Sequence, residues 1–264
     1  MAELSSLGGS EAEAYERIRA QRPDPPVVVT CEHASERLPS PWTLPEEDTW
    51  LRGTHWMSDL GAASLARRLA ERLGADAVLA GFSRILVDPN RHEDDETLIR
   101  THADGRRIAL NQGVSPEERE RRLGWWSAYH DAVAATVSAS TAPILFAVHS
   151  FTPSYEGQAR AMTLGVLYDH EEVLARRLAD HLQQADLEPN DVRLNEPYSG
   201  KDGLIYCVHR HAVACDRRAL EIEVRQDLLV TPDYRDALLQ ALVSFFDVSS
   251  SSIRGERSGV SDQG

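Results

Sequence analysis

The sequence predicts a single-domain, three-layer α/β/α fold built on a mixed, largely parallel sheet. Three observations carry this prediction. Short apolar, β-branched runs alternate with amphipathic stretches, which is the pattern of strands alternating with helices. The runs at 27–31 and 144–148 are apolar almost throughout, as expected of strands covered on both faces. The chain has 264 residues and 42% hydrophobic content, enough to bury one large core, and it shows no internal repeat or linker.

The elements follow in order. Residues 1–22 read as a flexible segment in which Glu11–Gln21 could form a short surface helix. Pro23, Pro25 and Pro26 then impose an extended lead-in, because the residue before a proline is driven out of the helical region. The domain spans 23–248 and begins with the strand Val27–Cys31. Leu60, Ala63, Leu65, Ala66, Leu69 and Leu73 recur at helical spacing, predicting a helix over Ser58–Leu73 with Gly74 as its C-cap. Ala77–Ala80 and Ile85–Val87 read as short strands. A helix from Pro116 to about Ser138 has Ser115 as N-cap and proline at its first position. Ile144–Val148 and Thr163–Tyr168 are strands, Glu171–Gln184 is a helix, Leu220–Val224 is a strand and Asp233–Phe246 is a helix. The Ser- and Gly-rich tail 249–264 reads as disordered.

Composition narrows the partners. A formal net charge of −14 argues against nucleic acid, which needs a basic surface. An anionic substrate would need its own local arginines. Cys31, Cys207 and Cys215 are odd in number and widely spaced, so they are no disulfide framework, and a reducing compartment is expected. The N-terminus lacks the basic and apolar regions of a signal peptide. No apolar stretch approaches the ~20 residues of a membrane span. The expectation is a cytoplasmic protein that binds neither nucleic acid nor membrane. Its oligomeric state is not legible.

Chemistry-bearing residues gather at strand ends. His33 and Glu36 follow the first strand, at the edge where open α/β sheets bind ligands. A histidine and a carboxylate there can hold Zn²⁺. A polar turn with Glu36 solvated is the structural alternative. His149 ends a second buried strand on the same predicted edge and supplies a second imidazole. Asp59 competes with Glu36 for the carboxylate role, although an acid in the first turn of a helix also serves the helix dipole. Glu221, Glu223 and Arg225 share one strand face by the period of two. Glu223, near the strand's end, could be a general base, or could pair with Arg225. Arg84, Asn90 and Arg91, in the segment Ser83–Arg91, are suited to hold a carboxylate. His209 and His211 would share a face in a strand and could ligate a second metal. Without a paired acid, substrate contact or plain structure is the better reading for them, and His102 belongs with them. His55, His92, His130, His170 and His181 read as surface residues, and Asn195–Gly200 as a polar rim loop.

Six short segments occur in a telling order: Cys31-Glu-His-Ala-Ser35, Ser58-Asp-Leu-Gly-Ala62, Ser83-Arg-Ile-Leu-Val-Asp-Pro-Asn-Arg91, His149-Ser-Phe-Thr-Pro153, Asn195-Glu-Pro-Tyr198 and Glu221-Ile-Glu-Val-Arg-Gln-Asp-Leu228. Together they resemble the N-formylglutamate amidohydrolase family, from about Val27 to about Phe246. Glu-His-Ala-Ser stands where the family usually carries Pro-His-Ser-Gly, which is the mark of a side branch. The resemblance implies a zinc carboxypeptidase- and aspartoacylase-like fold. It also implies a metal-dependent hydrolase of a small anionic N-acyl amino acid such as N-formylglutamate. The metal set it favours is His33, Asp59 and His149, with Glu36 in reserve, binding Zn²⁺ or another divalent metal. Glu223 is then the catalytic base, and Arg84, Asn90, Arg91 and Arg225 bind substrate. The alternatives are an amidase for a larger acylated or peptide-like substrate in a biosynthetic pathway, or a non-catalytic small-acid-binding protein.

Overall fold

The computed structural model describes residues 13–155 and 157–255. Among the described residues eleven strands form: β1 Tyr15–Ile18, β2 Val27–Cys31, β3 Asp76–Ala80, β4 His102–Ala103, β5 Arg106–Arg107, β6 Ile144–Phe151, β7 Ser154–Tyr155, β8 Gln158–Ala159, β9 Leu164–Leu167, β10 Val192–Leu194 and β11 Arg218–Arg225. The helices are α1 Ala62–Leu73, α2 Pro116–Ala139, α3 Glu172–Gln183, α4 Tyr206–Ala214, α5 Gln226–Leu229 and α6 Pro232–Gly255. Seven strands make one sheet in the order β1-β3-β2-β6-β11-β9-β10. β3, β2, β6 and β11 run parallel to one another, whereas β1 and β9 pair antiparallel with β3 and β11. β4–β5 and β7–β8 are small separate hairpins.

The period of two in the strands sorts side chains between two cores. Val27 and Val29 of β2 and Phe146 and Val148 of β6 pack with leucines of α1, α3 and α6. Val28, Leu145 and Ala147 face the other way, into a layer with Trp125, Trp126, Tyr129 and Val133 of α2 and Val208 and Ala212 of α4. The sheet is thus covered on both faces, as its apolar runs require. Leu65, Leu69 and Leu73 of α1 are almost fully buried, each contributing about 1.5–3 kcal/mol. Gly74 caps this helix in the left-handed region, with φ 57°.

The elements depart from the sequence reading in several places. Tyr15–Ile18 is an edge strand on β3, not a helix in a flexible segment; residues 1–12 lie outside the described residues. The predicted Ser58–Leu73 helix begins only at Ala62, because Gly61 takes φ 87°. Its Cβ position would lie 2.8 Å from Leu229 Cγ, so the glycine also permits close approach of α5. Ile85–Val87 is buried but lies in a turn rather than a strand. His209 and His211 sit on helix α4, not on a strand. Helix α6 runs to Gly255, into the segment expected to be disordered, and 256–264 lie outside the described residues. Among the described residues, no helix is long and apolar enough to cross a membrane.

Candidate metal centre

Three segments deliver the central side chains. His33 lies two residues beyond β2, and His149 lies within β6, the strand beside β2. Asp59 is held in the turn before α1, where its N–H donates to the His33 carbonyl at 2.9 Å and its own carbonyl accepts from Ala62 N at 3.1 Å. Gly61 is therefore what frees Asp59 from the helix and turns it toward the sheet. Asp59 Oδ2 lies 2.8 Å from His149 Nδ1 and 3.3 Å from His33 Nδ1. The two rings meet edge to face with centroids 4.8 Å apart.

Each imidazole is anchored at its other nitrogen. His33 Nε2 lies 2.7 Å from Asp88 Oδ1, and His149 Nε2 lies 2.8 Å from Glu32 Oε2. Glu32 also accepts from the Tyr129 hydroxyl at 3.1 Å, and Asp88 pairs with Arg84 at 2.7 Å. A carboxylate fixing the far nitrogen of a histidine is the usual support of a metal-binding imidazole. With their Nε2 protons given to Asp88 and Glu32, both rings turn Nδ1 lone pairs toward Asp59 Oδ2. Such an array of acceptors needs a cation or a proton between them.

Glu221 and Glu223 complete the floor. Glu223 is the register partner of His149 across β11 and β6, and Glu221 is that of Ala147. Both are buried, and the Oε2 atom of each lacks a hydrogen-bond partner among the described residues. The ligating atoms of His149, Glu221 and Glu223 lie within 4.8 Å of one another, as do those of His33, Asp59 and His149. Glu32, Asp59, Asp88, Glu221 and Glu223 thus bury five carboxylates around two imidazoles and Arg84.

The electrostatics follow from that crowding. Burial pushes the Glu221 carboxyl up to about 8, with Glu32 and Asp59 adding to the effect against the pull of His149. Burial likewise drives Glu223 well above its ordinary range. Burial would also raise Asp59 and Asp88, but the histidines hold Asp59 down, and Arg84 with His33 holds Asp88 down. Burial would raise Glu32 too, but the hydrogen bond and the charge of His149, with smaller contributions beside them, together bring it down to about 2. Burial opposes charge on His149, yet Glu221, Asp59 and Glu32 raise it well above the usual value.

The predicted residues are not all brought together. His33, Asp59, His149 and Glu223 share one open cavity, lined also by Arg84, Asn90 and Arg91. Arg84 is committed to Asp59 and Asp88. Asn90 is committed as well, donating to Leu204 O at 3.3 Å and accepting from Cys207 N at 3.0 Å. Arg91 makes no ion pair among the described residues, and its Nε has no partner. Arg225 is placed elsewhere: it pairs with Asp227 at 2.9 Å, reaches the Ala161 carbonyl and does not line the cavity. A strand face shared with Glu223 did not suffice, because Arg225 lies beyond the sheet's buried stretch. Glu36 is exposed, accepts from Gly53 N at 3.1 Å and does not line the cavity. His102 is exposed on β4 and outside the cavity.

Other residues were missed. Glu32 and Asp88 hold the histidines, and an acid adjoining each of two suspected functional segments was the available signal. Arg100, His55 and Trp56 line the cavity, with the Arg100 guanidinium 5.3 Å from the Trp56 ring centroid. His55 had read as surface, as had His130, which is buried. His130 follows Trp126 by one helical turn and Tyr129 by one residue, so the apolar stripe of α2 pointed to it.

A covered α/β sheet that gathers two histidines and several acids in one cavity defines a hydrolase-type centre. The family model for N-formylglutamate amidohydrolase matches residues 25–230. The chain belongs to that family, and with it to the amidohydrolases. It is similar in structure to the gene product Atu2144 from Agrobacterium tumefaciens, with TM-score 0.83 and 26% identity over 92% of this chain and 97% of that one. It also resembles the N-formylglutamate amidohydrolase from Ralstonia eutropha JMP134, with TM-score 0.69 and 19% identity over 92% and 99% of the two chains. At that identity the second likeness is one of fold. No curated protein matches the sequence.

Proposed function

We propose that this chain is a divalent-metal-dependent amidohydrolase that cleaves the amide bond of a small, anionic N-acyl amino acid, an N-formyl amino acid such as N-formylglutamate being the model substrate. The observation that carries this reading is Asp59 Oδ2 facing the Nδ1 atoms of both His33 and His149, while carboxylates hold both Nε2 atoms. Two nitrogens and one oxygen suit Zn²⁺, and the buried Oε2 atoms of Glu221 and Glu223, which have no hydrogen-bond partner among the described residues, fit a cation nearby. His33, Asp59 and His149 would hold it. A bound divalent cation supplies Lewis acidity that polarises the acyl carbonyl and acidifies water.

The protein's own groups do the rest. Glu223 takes a proton from the attacking water and returns it to the leaving amine. Its burial makes it a strong base once a cation offsets the neighbouring acids. Arg91 and Arg100 are the arginines left free to hold the substrate carboxylate and fix its orientation. Arg84, already paired, keeps Asp88 ionised and holds Asp59 and Asp88 in place.

The test combines metal content with a substrate screen. Purified protein is expected to carry a divalent metal, to lose activity in chelator and to turn over N-formyl or N-acetyl acidic amino acids. His149→Ala is expected to lose both metal and activity. Full activity in chelator with no metal bound would overturn the reading. Turnover confined to bulky neutral amides would instead remove the carboxylate role of Arg91 and Arg100.

A further inference from the structure

Behind the cavity, in the layer where α2 packs on α4, lies a second group of ligating side chains. His130 of α2 and Cys207 and His211 of α4 bring two nitrogens and a sulfur within 4.8 Å of one another, and all three side chains are buried. Cys207 and His211 are four residues apart and share one face of α4. His130 Nδ1 lies 2.8 Å from His211 Nε2, and the His130 ring packs on Trp126 with centroids 3.9 Å apart. His130 Nε2 faces the Pro89 carbonyl oxygen at 3.1 Å. A carbonyl only accepts, so Nε2 carries the proton and Nδ1 presents its lone pair to the group.

We infer that His130, Cys207 and His211 form a second metal site, suited to a borderline-soft divalent ion of the zinc class. Two imidazoles and a thiolate select such an ion over magnesium or calcium, which prefer oxygen. Burial holds both imidazoles neutral, His130 falling to about 3 and His211 to about 4, which is the form that ligates. The surrounding layer is apolar and aromatic. There two stacked imidazoles and a thiol are costlier than an apolar pair of similar size unless they have a task. On binding, the Cys207 thiol proton leaves to solvent and the His211 proton moves from Nε2 to Nδ1, so that all three atoms donate lone pairs. Arg210, which lies over the Trp126 ring at 5.2 Å, opposes a nearby cation, but the thiolate and Glu32 offset it. The Cys207 side chain is among the groups that lower Glu32, the carboxylate that holds His149. An ion here would therefore lie beside the support of the first centre.

The site has a signature of its own, because His33, Asp59 and His149 include no sulfur. Full-length protein produced in zinc-free, cobalt-supplemented medium is expected to show a sulfur-to-cobalt charge-transfer band in the near ultraviolet. Cys207→Ser should remove the band with the circular dichroism spectrum preserved, whereas Cys31→Ser should leave it. His211→Ala should lower bound cobalt by about one ion per chain. Wild-type protein that binds no cobalt through sulfur overturns the inference, whether or not the first centre is filled. So does a band that survives Cys207→Ser.

Discussion

Asp59 Oδ2 lies 2.8 Å from His149 Nδ1, and the backbone N–H of Ser150 donates to the same oxygen at 3.2 Å. One carboxylate oxygen is thus fixed by the backbone of β6 and by a ring that the same strand carries. Its other oxygen faces Arg84 at 3.5 Å. Asp59 is therefore oriented before any ligand arrives, and the ordering entropy has already been spent in folding.

The carboxylate behind each histidine should tune metal affinity without touching the ion. Glu32→Gln replaces the anionic acceptor of His149 Nε2 with a neutral one of the same shape. Metal affinity, read by competition with a coloured chelator, is expected to fall by about 10–100-fold. Unchanged affinity would show that the Glu32–His149 contact supports the fold alone.

Glu223→Gln separates chemistry from binding. The amide keeps the volume but cannot accept the water's proton. The expected result is a fall in kcat of about 10²–10⁴-fold with metal content and KM little changed. If Glu221→Gln gave that pattern and Glu223→Gln did not, the base would be reassigned to the neighbouring acid two residues earlier on the strand.

The parts of the molecule legible in the sequence were those specified locally. β2 and β6 announce themselves as apolar runs, and α1 and α2 through helical stripes with a glycine C-cap and a serine N-cap. His33, Asp59 and His149 stood out because each closes or opens such an element. What stayed hidden depends on distant pairing. Tyr15–Ile18 is a strand only because β3 lies beside it, 59 residues away at the Ile18–Ala77 end of the register and 65 at the Tyr15–Ala80 end. The roles of Glu32 and Asp88 need the third dimension, since their histidine partners lie 117 and 55 residues away. Ile85–Val87 has strand composition, yet the Ser83 hydroxyl bonds the Ile85 N–H at 3.3 Å and turns the chain.

Arg91 and Arg100 should act on substrate affinity. Either changed to alanine removes a cation that lines the cavity without an ion-pair partner among the described residues. KM for a carboxylate-bearing N-acyl amino acid is expected to rise by about 10–100-fold, the worth of a charged hydrogen bond of about 1.5–3 kcal/mol. KM for the corresponding amide should move far less. Equal losses on both substrates would mean that the arginines shape the cavity without reading charge.

Glu118 links acid stability to the packing of α2. It pairs with Arg122 at 2.8 Å and with Arg121, and accepts from the Trp42 indole. Burial raises its carboxyl, but the hydrogen bonds from Arg122 and Trp42 outweigh burial and leave it lowered. A carboxyl lowered on folding stabilises above its unfolded pKa, and that contribution is lost as pH falls through the folded one. Glu118→Gln should therefore cost about 2 kcal/mol at pH 7. That lowers Tm by about 4–8 °C. The gap from wild type should shrink below about pH 4.5, the ordinary glutamate value. A gap constant with pH would assign the loss to packing.

Gly165 tests whether the antiparallel strand β9 positions the catalytic acid. It is the register partner of Glu223, and a Cβ there would lie 2.0 Å from the Glu196 carbonyl oxygen and 3.3 Å from Glu223 Cβ. The first contact is with backbone, which cannot rotate away, so Gly165→Ala must displace either the Asn195–Tyr198 loop or the strand. Overpacking of this kind costs about 1–3 kcal/mol. The loop carries Tyr198 to the cavity wall, and Glu223 lies on its floor, so activity should fall even where the variant stays folded. Thermal unfolding and kcat measured together distinguish the outcomes. A drop in Tm with kcat unchanged would mean that the loop gives way alone and that Glu223 does not depend on β9 for its position. A fall in both is the result expected from a glycine whose missing side chain makes room for the loop against the strand that bears the base.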